Sequence, residues 1–340
     1  VPVTALVTVA VPVYKRLQYL AGALRAVASQ DYPNIELIVS DNGVNGTVVE
    51  RIVAEHYPRP YRYRQNPATV ALPEHWNQLV AEASGEYLVI LADDDELSPN
   101  YVSELTRLLD RHPAAAVAIA AQEILDESGK VVRRSRGPLP ELLSGRDFIR
   151  AAFHTYEYGF ECFMTIFART AELRRCGGYP DFVQGQHGDD TLLLKLCLGR
   201  PVALSERCAF RYRVYESSYG LAQRIEVLAM STNQFLRFLD SDPHFREFAR
   251  SHPEEWTELR GYIEENKLLT YYFRWRHMYR RRLTRLQWIR AGFAFPYSRL
   301  CYRWVIATLL TTAAHAVTER AKRVFPGTHR LYRKLRYGRR

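Results

Sequence analysis

The sequence predicts an α/β protein: a doubly wound, mostly parallel sheet flanked by helices, followed by a helical and strongly basic C-terminal region. Three observations carry this reading. Runs of β-branched residues alternate with stretches of helical period over residues 4–218. A buried-strand pattern, EYLVILA, ends abruptly in three consecutive carboxylates, Asp93, Asp94 and Asp95. Past Ser218 the strand signals disappear, helical patterns take over and basic residues accumulate.

Taken in order, LVTVAVPV (6–13) is a β-branched run ending at Pro12, and 15–29 is helical in pattern, with Leu17, Leu20, Leu24 and Val27 on its apolar face. The βα unit repeats with a strand at 35–40, a turn cluster at 41–46 that puts Asp41 at the strand end, and a helix over 48–57. YRYR (61–64) reads as a short strand and 73–83 as a helix opened by Pro73. After the acidic triplet come a helix over 99–112, a strand over 114–125 and a hairpin turn, ESGK, into VVRR. Beyond the Pro-rich GPLPELLSG lie a short helix near 146–153, the strand CFMTIFAR, a helix from Ala171, a GGY turn and a second helix that opens at HGDD. Strands at 201–204 and 208–214 complete the series, and 221–240, 244–250 and 253–285 are helical in pattern. The alternation points to right-handed crossovers. The change of character places a domain boundary near Gly220, dividing the chain into 1–220 and 221–340.

With 340 residues and 47% hydrophobic content the chain supports a sizeable core, which excludes a disordered polypeptide. Cys162, Cys176, Cys197, Cys208 and Cys301 are odd in number and include no CxxC pair, a pattern of reduced cytosolic thiols rather than of a disulfide framework or zinc site. Residues 1–13 read as a strand, not as the charged and apolar segments of a secretory signal. The net charge of +10 is uneven: residues 260–340 hold 20 Lys or Arg against 3 Asp or Glu, leaving 27 against 34 for residues 1–259. A mildly acidic body therefore carries a basic tail suited to an anionic surface.

In an open α/β sheet ligands bind at the carboxyl ends of the strands, so the triplet stands at the mouth of a crevice. Three adjacent carboxylates repel one another, and a divalent cation relieves that repulsion. Hard oxygen ligands suit Mg²⁺ or Mn²⁺, the ions that accompany diphosphates. Taken alone, the triplet is also an acidic turn ahead of a helix at Ser98-Pro99. A second acidic pair, Asp189-Asp190, precedes another helix and by itself reads as an N-cap pair.

VTVAVPVYK, LIVSDNGVNGT, HWNQLVAEASGEYLVILADDDEL, CGGY, GDDTLLLKL and FRYRVYESS succeed one another in an order and spacing that resembles the family 2 glycosyltransferases, over residues 4–218. The resemblance implies the GT-A fold, with a nucleotide-sugar half at about 1–98 and an acceptor half at about 99–220. It implies an inverting transfer from a nucleotide-sugar, with Mn²⁺ or Mg²⁺ on the diphosphate. It assigns Pro12 and Tyr14 to the nucleotide pocket, Asp41 to a hydrogen bond with the base, Asp93 to the ribose and Asp95 to the metal. Ala92 stands where the family often has Asp, which leaves the register open by one residue, so Asp94 can take either role and Asp93 can join the metal. Asp190 matches the general base that accepts the acceptor hydroxyl proton, and Asp189, where the family commonly has Glu, touches the acceptor or tunes Asp190 by like-charge repulsion. By residue type alone, Asp41 is equally an Asx-turn residue ahead of Gly43, and Pro12 an ordinary end-of-strand proline. Where many relatives have a His, this chain has Tyr215 followed by Glu216. Tyr215, Arg211 and Arg213 then become the candidate diphosphate contacts, and His187 and His75 the nearest histidines by sequence.

In the tail, aromatic residues interleave with Arg. The uncharged stretch WVIATLLTTAAHAV is 14 residues long, short of the ~20 that a spanning helix needs. Its Arg, Trp and Tyr flanks suit an interfacial helix on an anionic leaflet. The alternative is a helical subdomain packed on the catalytic domain or on a second subunit; no RNA-binding motif is present. The expected protein is a glycosyltransferase peripheral to the cytoplasmic face of the cell membrane, with a nucleoside-diphosphate sugar as donor and a lipid-linked or surface glycan as acceptor. Its competitors are a non-catalytic, nucleotide-binding scaffold, favoured by Tyr215 in place of His, and a sugar nucleotidyltransferase. The latter is disfavoured because Val13-Tyr14-Lys15-Arg16-Leu17 lacks a glycine-rich loop.

Overall fold

A computed structural model of the protein describes residues 4–160, 162–215, 224–278, 284–293 and 303–313. Its first elements are β1 (Val7–Val13), α1 (Leu20–Ala28), β2 (Ile35–Asp41), α2 (Val48–His56), β3 (Tyr61–Gln65), α3 (Leu72–Glu82) and β4 (Tyr87–Ile90). Strands β3, β2, β1 and β4 lie side by side in that order, all parallel. Their β-branched sequences suit strands buried on both faces. Val7, Val9, Val11 and Val13 pack with Leu24 of α1 and Val53 of α2, while Ala10 between them joins Trp76 and Leu79 of α3 on the other side. Helix α1 begins five residues later than its pattern suggests. The residues before it form a loop in which Arg16 and Tyr19 are committed to contacts with Tyr215 and Arg213.

Next come β5 (Glu96–Leu97), α4 (Tyr101–Arg111), β6 (Val117–Leu125), β7 (Val131–Arg134), β8 (Leu142–Leu143), α5 (Gly145–Phe153), β9 (Phe167–Arg169), α6 (Thr170–Arg175), α7 (Gly188–Cys197) and β10 (Val202–Arg213). β9 lies between β4 and β6, antiparallel to both, and β10 runs parallel to β6. The outcome is the expected mixed sheet, whose long ladders are parallel. Three details differ from the sequence reading. Only the end of CFMTIFAR is a strand. The strands expected at 201–204 and 208–214 are one, β10, whose pairing shifts between Ser205 and Ala209. The short β5 owes its existence to its antiparallel partner β10 and not to any pattern of its own.

β1 pairs with β4 only as far as Ala10 and Ile90, but with β2 as far as Val13 and Asp41. It therefore loses a neighbour at its carboxyl end, where Pro12 has no N–H to offer, and a crevice opens there. Nearby, α3 is fastened to β2 by His75, whose Nε2 lies 2.8 Å from Ser40 Oγ. Burial first, and the Arg64 guanidinium second, hold the His75 pKa down at about 4, so the ring is neutral.

Helices α8 (Ile225–Ser241) and α9 (Pro243–Ser251) follow the boundary expected near Gly220, a residue outside the described ones. They nevertheless pack into the core beside the sheet: Phe235, Leu239, Phe245 and Phe248 join the cluster built on α3, α5 and α7. Lys195 of α7 pairs with Asp242 at 2.8 Å. After α10 (Pro253–Met278) come α11 (Arg285–Phe293) and a helix over 303–313, α12. The chain divides into two compact units, Val1–Asn266 and Lys267–Arg340. Within the second, Trp275 and Trp288 stack with ring centroids 4.5 Å apart, and Gly292 leaves room for the Trp275 indole, which a Cβ would approach to 2.7 Å. No described helix is long and apolar enough to cross a membrane.

Phe235 is fully buried, so Phe235→Ala should lower the unfolding free energy by about 3–5 kcal/mol. Chemical denaturation measures it, and a loss below about 1 kcal/mol would put α8 outside the core. His75 generates a pH prediction. The unfolded His titrates near 6.5 and the folded one near 4, so acidification across that window protonates the unfolded state first and removes up to ~3 kcal/mol of stability. The Tm of the wild type should fall more steeply from pH 6.5 to pH 4 than that of His75→Gln; parallel curves would refute it.

Candidate active site

Where β1 and β4 part, a cavity of about 430 Å³ opens. Two acidic groups from distant parts of the chain line it: the triplet after β4, and Asp189 in the first turn of α7. Pro12 and Tyr14 from β1, Asn42 beside β2, and His75 and Trp76 from α3 complete much of the rest.

The triplet is held by donors that β10 and β1 deliver. Arg213 N donates to Asp95 Oδ1 at 2.9 Å, and the Arg213 guanidinium binds the Asp94 carbonyl at 3.0 Å and the Glu96 carboxylate at 2.7 Å. The Tyr215 hydroxyl donates to Asp94 Oδ2 at 2.5 Å and accepts from Arg16. Tyr14 N donates to Asp93 Oδ2 at 3.3 Å. These bonds do not cancel the cost of confinement. Burial first, and the Asp94 carboxylate second, push Asp93 up to about 7 and raise Asp95 well above the ordinary carboxylate range.

Asp95 Oδ2 is buried without a hydrogen-bond partner. An orphaned carboxylate oxygen is costly, and it is the kind of atom a hard cation takes up. Among the described residues no three His, Cys, Asp or Glu side chains converge as a metal cage. The residues thus fit a divalent ion held by one or two carboxylates, with its other ligands coming from outside the chain.

The second acidic pair has a different setting. His187, at a left-handed φ of 66° just ahead of α7, stands 3.1 Å from Asp190 Oδ2 and 3.0 Å from Thr232 Oγ1 of α8. Asp190 is 9% exposed and turned to His187, whereas Asp189 faces the cavity. Gly185, at φ 67°, lets the loop pass Leu72, whose Cδ2 would lie 2.8 Å from an added Cβ. Asn77 of α3 clamps the GGY turn through the Tyr179 N–H and carbonyl, both at 2.8 Å.

Of the residues singled out in the sequence, Pro12, Tyr14, Asp93, Asp94, Asp95, Asp189 and Arg213 line the cavity, as do His75 and His187. Asp41 is fully buried, and its carboxylate accepts from Gly43 N, Asn45 N and Nδ2, and Gln65 Nε2 at 2.8 to 3.2 Å, the arrangement of an Asx turn. Arg211 is paired with Glu123 at 3.0 Å. Glu216 lies outside the described residues. Sequence reasoning passed over Arg16, Asn42, Trp76 and Gln186, all on the cavity lining. The signal for Trp76 was present: HWNQ puts polar and aromatic residues on the buried face at the start of a helix. Arg16 and Gln186 sit in loops with no periodicity to mark them.

Comparison with known proteins agrees with this geometry. The glycosyl transferase family 2 profile matches residues 8–173. The chain is 26% identical over 178 residues to the putative glycosyltransferase EpsE of Bacillus subtilis, covering 51% of this chain and 59% of that protein. It is 26% identical over 156 residues to the GalNAc(5)-diNAcBac-PP-undecaprenol beta-1,3-glucosyltransferase of Campylobacter jejuni, covering 43% and 48%. The chain thus spans about half the length of these curated relatives. Among solved structures, S. aureus TarS 1-349 in complex with UDP-GlcNAc is similar in fold, with a TM-score of 0.57 at 15% identity over 86% of this chain and 82% of that one. The ordered motifs, the GT-A-like sheet and the profile match converge: residues 8–173 of this chain belong to glycosyl transferase family 2.

Proposed function

We propose that the cavity binds a nucleoside-diphosphate sugar and that the protein passes the sugar, with inversion, to a hydroxyl of a lipid-linked or surface-glycan acceptor. One observation carries the reading: a buried acidic triplet with an unsatisfied Asp95 oxygen shares a cavity with Asp189, the first acid of the pair that opens α7. The UDP-GlcNAc of the TarS complex and the undecaprenol-linked acceptor in the name of the Campylobacter relative support the donor and acceptor classes.

In this reading Pro12, Tyr14 and Asn42 border the nucleoside and Asp93 meets the ribose or joins Asp95 in holding Mn²⁺ or Mg²⁺. When bound, that ion stabilises the charge that grows on the leaving diphosphate. Arg16 presents positive charge to phosphate oxygens, and the Tyr215 hydroxyl, which accepts from Arg16 and gives its one proton to Asp94, donates to phosphate only by releasing Asp94. Arg213 holds the loop that carries the triplet. Asp190 takes the acceptor hydroxyl proton as that oxygen attacks the anomeric carbon from the face opposite the diphosphate. His187, braced by Thr232, holds the Asp190 carboxylate in one orientation, and Asp189 meets the acceptor.

Donor hydrolysis and transfer across UDP-, GDP- and dTDP-sugars with Mg²⁺ or Mn²⁺ test the reading. Binding of a donor without turnover under any condition would favour a nucleotide-binding scaffold instead, the reading for which Tyr215 speaks. By calorimetry, EDTA should weaken nucleoside-diphosphate binding by about tenfold or more, because the triplet then repels the diphosphate; equal affinity removes the metal role of Asp95. Asp190→Asn should keep donor binding while single-turnover transfer falls by about 10² or more. A near-wild-type rate assigns the base elsewhere, first to Asp189.

A further inference from the structure

We propose that the second unit, Lys267–Arg340, bears a docking surface for an anionic lipid bilayer, formed by outward aliphatic side chains of α11 and α12 among basic residues. This surface is independent of the enzymatic reading.

Both helices carry apolar residues on two faces. On α11 the inner face is occupied: Trp288, Ala291 and Gly292 are buried, and the Trp275 indole N–H donates to the Trp288 carbonyl at 2.7 Å. Leu286 and Ile289, three residues apart, are turned away from that face and are 58% and 39% exposed. α12 repeats the arrangement. Val305 is buried, Trp304 packs against Tyr272 at 5.5 Å, and Thr308 bonds the Tyr272 hydroxyl at 2.6 Å. Ile306 and Leu310, four residues apart and so on one face, are 47% and 66% exposed. The aromatic packing of Tyr272, Trp275, Trp288 and Trp304 holds the helices together without these aliphatic pairs. Single exposed aliphatics are ordinary, but paired stripes on successive helices mark a surface that something covers.

Charge decides what covers it. Between Lys267 and Arg340 there are 19 Lys or Arg and one acidic residue, Glu319. A second copy of the unit would bring two such fields together at close range, which is unfavourable. Nucleic acid would neutralise the charge and leave the aliphatic pairs in water. An anionic bilayer meets both demands: headgroups attract the exposed Arg285, Arg290 and Arg303, and the interfacial zone takes up Leu286, Ile289, Ile306 and Leu310. The interfacial stretch read from the sequence, 304–317, supplies only part of this surface. Trp304 and Val305 turn inward, residues 314–317 lie outside the described ones, and α11 contributes a pair the sequence reading did not single out.

Flotation of the full chain with vesicles of phosphatidylcholine plus phosphatidylglycerol, and with phosphatidylcholine alone, tests the surface. The protein should float with the anionic vesicles, weaken in salt without releasing fully, and ignore the neutral ones. Leu286→Ser with Ile289→Ser, or Ile306→Ser with Leu310→Ser, should each lower partitioning about tenfold or more at unchanged circular dichroism. Ile289→Trp should tighten it severalfold and guards against a folding defect in the serine variants. No flotation at low salt, equal binding to neutral vesicles, or serine and tryptophan variants that float like the wild type would each overturn the proposal. So would a dimer in sedimentation that the serine variants dissociate, or retention of an RNA oligonucleotide without flotation.

Discussion

Confining three adjacent carboxylates at the end of β4 is the constraint on which the site depends. Two of them, Asp93 and Asp95, are nearly out of water, where like charges repel strongly and each oxygen needs a donor. The donors come from far along the chain: Tyr14 N at the end of β1, Arg213 N from β10 and the hydroxyl of Tyr215 beyond it. The two-residue β5 registers β10 against the triplet and so brings Arg213 and Tyr215 to it. Even then Asp95 Oδ2 stays unsatisfied. An orphaned oxygen among like charges is the feature on which the proposed metal role of Asp95 rests.

The opposite side of the cavity is braced by helices that a reading centred on the sheet would set aside. Asn77 ties α3 to the GGY turn, and the loop from that turn enters α7 through left-handed Gly185 and His187. His187 then leans on Thr232 of α8, and Lys195 of α7 is neutralised by Asp242 where α9 begins. Removing either member of that buried ion pair would strand a charge in the core. Helices that follow the last strand thus hold the orientation of Asp190, a carboxylate that precedes it.

The second unit answers to different physics. Its described helices pack through a few tryptophans and a tyrosine, with Gly292 making room for the indole of Trp275. Its charge is too lopsided to be neutralised within the unit, with one acidic residue among 19 basic ones. The first unit, by contrast, pairs buried and half-buried ions internally, as with Arg213 and Glu96 or Arg211 and Glu123.

By itself the sequence determined what depends on local pattern. The βα alternation, the placement of Asp93 to Asp95 and Asp189-Asp190 at element ends, and the helical nature of the C-terminal region all follow from periodicity and from Pro and Gly punctuation, which neighbouring residues encode. Tertiary structure decided whatever depends on a partner. CFMTIFAR reads as a strand, but that only its end pairs, and that it runs antiparallel between β4 and β6, depends on those two neighbours. Arg211 and Arg213 alternate identically along β10, yet one pairs with Glu123 and the other holds the triplet's loop, a difference set by which strand lies alongside. Asp41 had two readings in the sequence, and its four hydrogen bonds are those of a turn because Gln65 of β3 and Asn45 arrive beside it. Which of Asp189 and Asp190 faces the cavity was likewise decided by His187 and α8, since adjacent residues of a helix point about 100° apart and only the packing against them chooses the direction.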